Sequence, residues 1–121
     1  MRLEANTIGN IDNPSEDDIA RAFENREKWD MADVMGNVYT LSKGCTSLFC
    51  ISGHNFENFS LRFYDKNEQI YICSSTLSAS EVKQYFIRFY NDDMKWYDNL
   101  DWHLYIHKTL WERFLEKFFR N

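Results

Sequence analysis

Residues 58–65, NFSLRFYD, decide the fold class. Phe59, Leu61 and Phe63 fall on one face of an extended chain. Ser60, Arg62 and Tyr64 fall on the other, the period-two signature of a half-buried strand. Lys66-Asn67 reads as a tight turn, and residues 68–75, EQIYICSS, return as the partner strand. Working towards the N-terminus, VYTLSK (38–43) and CTSLFCISG (45–53) form a second hairpin about Gly44, and Gly53-His54-Asn55 is a loop. Four strands with short connections predict an antiparallel meander.

Helices flank this run. Asn13-Pro14 signals a helix start, with Asn as cap and Pro in the first turn. Glu16, Asp17 and Asp18 suit the positive end of the helix dipole. Ile19, Ala22 and Phe23 supply an inward stripe, so the spacing predicts a helix over 14–28, after which Trp29 folds back onto the core. Residues 1–13 supply a short edge strand or a loop. LSASEVKQYFIRFYND (77–92) is the next helix: Ser78 and Glu81 have capping-box spacing, and Val82, Tyr85, Phe86 and Phe89 make an apolar stripe. It should end near 90–92. DWHLYIH (101–107) alternates as a further strand, with Trp102, Leu104 and Ile106 on its inner face. The tail, KTLWERFLEKFFRN, carries Leu110, Trp111, Phe114, Leu115 and Phe118 at helical spacing. The expectation is one α+β domain over residues 1–121: an antiparallel sheet of about five strands packed against two or three helices.

Composition narrows the function. At 121 residues the chain is long enough for one true core without a disulfide or metal staple. Ten Phe, seven Tyr and four Trp make it rich in rings, which fill cores and also anchor interfaces. The net charge of −5 argues against direct nucleic-acid binding, which needs a basic patch. An acidic surface favours a basic partner or keeps the protein soluble. Eight acids against three bases between Asp12 and Asp33 give a local balance of −5, so the N-terminal third carries the acidity. Cys45, Cys50 and Cys73 are odd in number and form no CxxC pair, which suits reduced thiols and a cytoplasmic setting. No signal peptide or apolar span is expected, and so no membrane association.

Catalytic chemistry finds little support. His103 and His107 lie about 13 Å apart along a strand, too far to share one metal ion. Cys50 with His54 lacks a third member and an oxyanion hole, so a buried thiol beside a loop histidine is the plainer reading. Asp17-Asp18 is explained by its helix dipole. Asp92-Asp93 is not, since it sits at a helix C-terminus, where negative charge is disfavoured. No nucleotide, metal-hydrolase or nucleophile-elbow motif is present, and no cofactor, metal site or enzymatic activity is expected.

The stretch NDDMKWYDNLDW (91–102) concentrates four acids, two Trp and one Tyr. Trp102 and Trp96 are assigned to the core. Asp92, Asp93, Tyr97, Asp98 and Asp101 form a candidate partner-facing rim, and Asp17 and Glu24 on the first helix are the next candidate surface.

The NPSEDDIARAF helix start, the FSLRFYD strand, the SASEVKQYFIRFYNDD helix and the Trp-containing KWYDNLDW return together resemble small immunity proteins of bacterial polymorphic toxin systems, in particular the group called immunity protein one. The matching positions are Asn13, Pro14, Asp18, Ile19, Glu81, Val82, Phe86, Tyr90, Asp92, Asp93 and Trp96, across residues 11–102. The C-terminal aromatic helix is not part of the match. The resemblance implies a cytoplasmic protein that neutralises a cognate secreted toxin, often a nuclease or nucleic-acid deaminase, by covering its active site. Such toxins need basic clefts, which an acidic protein meets by phosphate mimicry and electrostatic steering. Two other readings stand beside it. One is a small ligand-binding or enzymatic domain with an aromatic pocket near Cys50, His54, His103 or His107. The other is a homo-oligomer joined through the Leu110–Phe119 stripe.

Overall fold

The computed structural model describes residues 1–24, 36–52, 58–93 and 95–105, apart from the side chains of Trp96 and Tyr105. The expected third helix, Trp29, His54 and His107 lie outside the described residues. In chain order the elements are β1 (Arg2–Ala5), β2 (Gly9–Asp12), α1 (Glu16–Glu24), β3 (Val38–Lys43), β4 (Thr46–Ser52), β5 (Phe59–Tyr64), β6 (Ile70–Cys73), α2 (Ala79–Tyr90), a 3-10 segment (Lys95–Asn99) and β7 (Trp102–Tyr105).

The strands form one antiparallel sheet in the order β2-β1-β3-β4-β5-β6-β7. It therefore has seven strands among the described residues, where the sequence suggested about five. The two extra strands come from residues 1–13. Gly9 sits at φ 92, in the left-handed region, and lets this segment turn back as a hairpin. β1 is not an edge strand: it lies between β2 and β3 and buries Leu3 and Ala5. Two inward residues on a four-residue strand are too short an alternation to read as a strand unaided.

The β3–β4 hairpin closes through Gly44 (φ 60) and Cys45, with Lys43 opposite Thr46. The β5–β6 turn is longer than the expected two residues. Glu68 N–H bonds the Asp65 carbonyl at 3.2 Å and Glu68 adopts φ 62, so a third turn residue carries the left-handed position. Asp65 Oδ1 holds this turn by accepting from the Asn67 and Gln69 N–H groups at 2.9 and 3.0 Å.

Register aligns one continuous inward row. Leu3 faces Leu41, Leu41 faces Leu48, Leu48 faces Phe63, and Phe63 faces Tyr71. Both described helices cover this face. α1 contributes Ile19, Ala22 and Phe23, and α2 contributes Ala79, Val82, Phe86 and Phe89. Phe23 is the hub, with ring centroids 4.5 Å from Tyr39, 5.3 Å from Phe86 and 5.9 Å from Phe59. The Tyr39 hydroxyl, fully buried, is satisfied by donating to the Ala22 carbonyl at 3.1 Å. The architecture is α+β in two layers. Among the described residues no helix is long and apolar enough to cross a membrane.

Both helix starts are set by local chemistry. In α2, Ser78 accepts from Glu81 N–H while the Glu81 carboxylate reaches back to the Ser78 N–H, the expected capping box. In α1 the cap is Ser15 and not Asn13. Ser15 Oγ accepts from Asp18 N–H at 3.2 Å, and Asp18 Oδ2 accepts from Ser15 N–H at 2.9 Å. Asn13 instead takes a left-handed φ of 53, which turns the chain from β2 into the helix. The Ser15 N–H bond is the main reason the Asp18 carboxyl is held below the usual aspartate range.

One inner-face assignment fails on β7. Trp102 packs partly buried against the core, but Leu104 is 48% exposed. Among the described strands β7 is the last in the sheet, and alternation alone cannot show how far the helix layer extends over it.

Candidate functional site

The sheet end that carries Asp12, Lys43 and Asp65 gathers most of the acids singled out in the sequence. Register brings these termini together: Arg2 pairs with Asp12 and Ser42, Lys43 with Thr46, and Ser47 with Tyr64. The start of α1 and the end of α2 meet at the same end, where the Asn91 side-chain amide donates to the Glu16 carboxylate. Asp17, Asp92 and Asp93 therefore share one end of the molecule. Asp98 joins them through the cleft described below.

Glu24 does not belong to this group. It closes the opposite end of α1, beside the Ala22 carbonyl that receives Tyr39 from the far end of β3. Asp101 lies at the other end of the β6–β7 ladder. Its carbonyl accepts from Ser74 N–H at 2.8 Å and its carboxylate from Ser74 Oγ at 3.0 Å, so it pins the entry to β7.

Asp92 and Asp93 are built into the end of α2. Asp92 N–H bonds the Phe89 carbonyl at 3.2 Å and Asp93 N–H bonds the Arg88 carbonyl at 2.9 Å. Asp92 sits at φ 61, so this is a Schellman closure with aspartate where glycine is usual. The unfavourable dipole is answered by Lys43. Its ammonium donates to the Phe89 and Tyr90 carbonyls at 3.0 and 3.2 Å, pairs with the Asp92 carboxylate, and lies 5.7 Å from the Phe89 ring centre. A cation on the last carbonyls offsets the acids that follow them. Asp93 Oδ1 accepts from Lys95 N–H at 3.2 Å and starts the 3-10 segment.

That segment positions Tyr97 and Asp98. Tyr97 is half-buried rather than a free rim residue. Its ring stacks on Trp102 at 4.8 Å and 15°, and its carbonyl accepts from the Trp102 indole N–H at 2.8 Å. Among the described rings it also meets Phe63 at 5.4 Å and Tyr71 at 6.4 Å, both edge-on. Phe63, Tyr71 and Tyr97, with the carboxylates of Asp65 and Asp98, line an open cleft of about 360 Å³. The Tyr97 hydroxyl is pushed above the usual tyrosine range, first by burial and then by Tyr71, Asp65 and Asp98. Both carboxylates therefore lie close enough to act on the Tyr97 hydroxyl. Phe63, Asp65 and Tyr71 were not singled out in the sequence, because only the three-residue turn fixes Phe63 opposite Tyr71.

The Cys50 thiol is closed off, in keeping with its reading as a buried side chain. Cys50 is fully buried in β4, and burial raises its pKa well above the ordinary thiol value. Cys73 is also buried, and Cys45 is exposed in its turn. Among the described residues no three His, Cys, Asp or Glu side chains gather as a ligand set for a metal ion. No known family model, curated protein or solved structure matches the chain.

Proposed function

We propose that this protein acts by binding another protein, as a toxin-neutralising immunity protein whose acidic end engages a basic surface of its target. The observation that carries the reading is the junction of the α1 start, the α2 end and the 3-10 segment. It presents Asp17, Asp93 and Asp98 outward, all exposed, beside a ring-lined cleft. Acids of one sign on a single end steer a basic partner during encounter. Tyrosines fixed by packing supply contact area at low entropic cost. The inaccessible Cys50 weighs against the enzymatic alternative. A nuclease or a nucleic-acid deaminase fits as the target class, because either needs a basic cleft for its own substrate.

The side chains of Asp17 and Asp98 make no hydrogen bond or ion pair among the described residues, so reversing their charge tests the surface at the cost of only a dipole contribution of under about 1 kcal/mol at the start of α1. Tagged wild-type protein and the Asp17→Lys/Asp98→Lys variant would be compared at low salt in a native lysate, with captured proteins identified by mass spectrometry. The expected result is one stoichiometric basic protein whose association with the variant slows by roughly tenfold at low salt. Equal capture by both proteins, or no basic protein at all, overturns the reading.

A further inference from the structure

We propose that the cleft walled by Phe63, Tyr71 and Tyr97 and edged by Asp65 and Asp98 takes the guanidinium of one arginine side chain of the partner, an assignment that rests on the protein-binding reading above. Three observations carry it. The walls are π-systems held in fixed mutual geometry, with Tyr97 locked against Trp102 on one side and set edge-on to Phe63 and Tyr71. Ring faces attract cations through their quadrupole. The lining includes two aspartates, and among the described residues neither is paired with a cation. Among the described residues Asp65 uses Oδ1 for its turn and leaves Oδ2 without a hydrogen bond, while the Asp98 side chain makes none.

The third observation is size. At about 360 Å³ the open cleft falls within the range of ligand pockets and has room for a whole arginine side chain with its head group. Two acids in the lining of a ring-walled cleft favour a planar, weakly hydrated cation that can stack and donate to carboxylates. Guanidinium meets those demands better than the compact, strongly hydrated ammonium of lysine. The Tyr71 hydroxyl donates to Gln69 Oε1 at 2.9 Å, which fixes that wall before any ligand arrives.

The Trp102 indole N–H, bonded to the Tyr97 carbonyl, is a built-in reporter. Its resonance would be followed by two-dimensional NMR during titration with N-acetyl-arginine amide and with the neutral isostere N-acetyl-citrulline amide. The expected result is a saturable shift with the arginine probe alone. In Asp98→Asn that affinity falls about fivefold, the equivalent of the roughly 1 kcal/mol exchanged by two unit charges 4 Å apart in water. No saturable shift, an equal response to citrulline, or an unchanged affinity in D98N overturns the assignment. Capture of a basic partner that the arginine probe does not displace overturns the cleft and leaves the protein-binding reading standing. Probe binding that depends on Asp98, with no basic protein captured, supports the cleft and removes that reading.

Discussion

Replacing Lys43 by Met isolates the device that lets an acidic pair follow the end of α2. Methionine keeps most of the stem, which is only 26% exposed, and removes the charge. Four interactions go with it: two hydrogen bonds to the last helical carbonyls, the pair with Asp92, and the contact above Phe89. A hydrogen bond to a charged group is worth about 1.5–3 kcal/mol when well shielded, and water replaces part of that here. The Asp92 carboxylate is 82% exposed, so its pair adds less than about 1 kcal/mol. The expected loss is roughly 2 kcal/mol, read as a lower urea midpoint with an unchanged m-value. For a domain of this size that is a fall in Tm of roughly 6–10 °C.

A double-mutant cycle with Asp92→Asn separates the parts, because asparagine tolerates the left-handed φ that Asp92 holds. The coupling should stay under about 1 kcal/mol, leaving most of the loss to the carbonyls. A K43M loss below about 0.5 kcal/mol, or a coupling equal to the whole loss, refutes the reasoning. In the first case water caps the helix as well as the ammonium does. In the second the ion pair alone matters.

Two further outcomes follow from the core and the caps. The Cys50 thiol keeps its proton in the folded state far above the pH at which an unfolded thiol ionises, about 8.5. Its contribution is therefore complete below that value and lost as pH rises towards the folded-state pKa, by up to roughly 1.4 kcal/mol per pH unit. Urea midpoints between pH 8 and 10 should fall more steeply for wild type than for Cys50→Ala, and parallel slopes would remove this account. Ser78→Ala removes half of the α2 capping box and should cost about 1 kcal/mol by thermal denaturation. A stability within about 0.5 kcal/mol of wild type, the usual range for a surface change, would show that Glu81 and solvent suffice.

The sequence by itself determined the local elements whose causes are local. The alternation of 58–65 and 38–43 produced β5 and β3. Ser78 with Glu81 started α2, and Val82, Phe86 and Phe89 faced the sheet because three- and four-residue spacing leaves one stripe to bury. Wherever a second segment sets the outcome, the sequence fell short. Residues 1–13 became two strands because β3 offered an edge to pair with. Leu104 stayed exposed because burial depends on how far the helix layer reaches, which strand alternation does not encode. The candidate site divides along the same line. Asp92, Asp93, Tyr97 and Asp98 were legible as an acidic-aromatic run. Lys43 as the counter-charge, Asp65 and Tyr71 as cleft walls, and the separation of Glu24 and Asp101 from the rest were not. Those facts follow from strand register and helix packing, which bring residues far apart in the chain to within a few ångströms. Only the folded chain decides which acids share a surface, because charge and ring contacts act through space and not along the sequence.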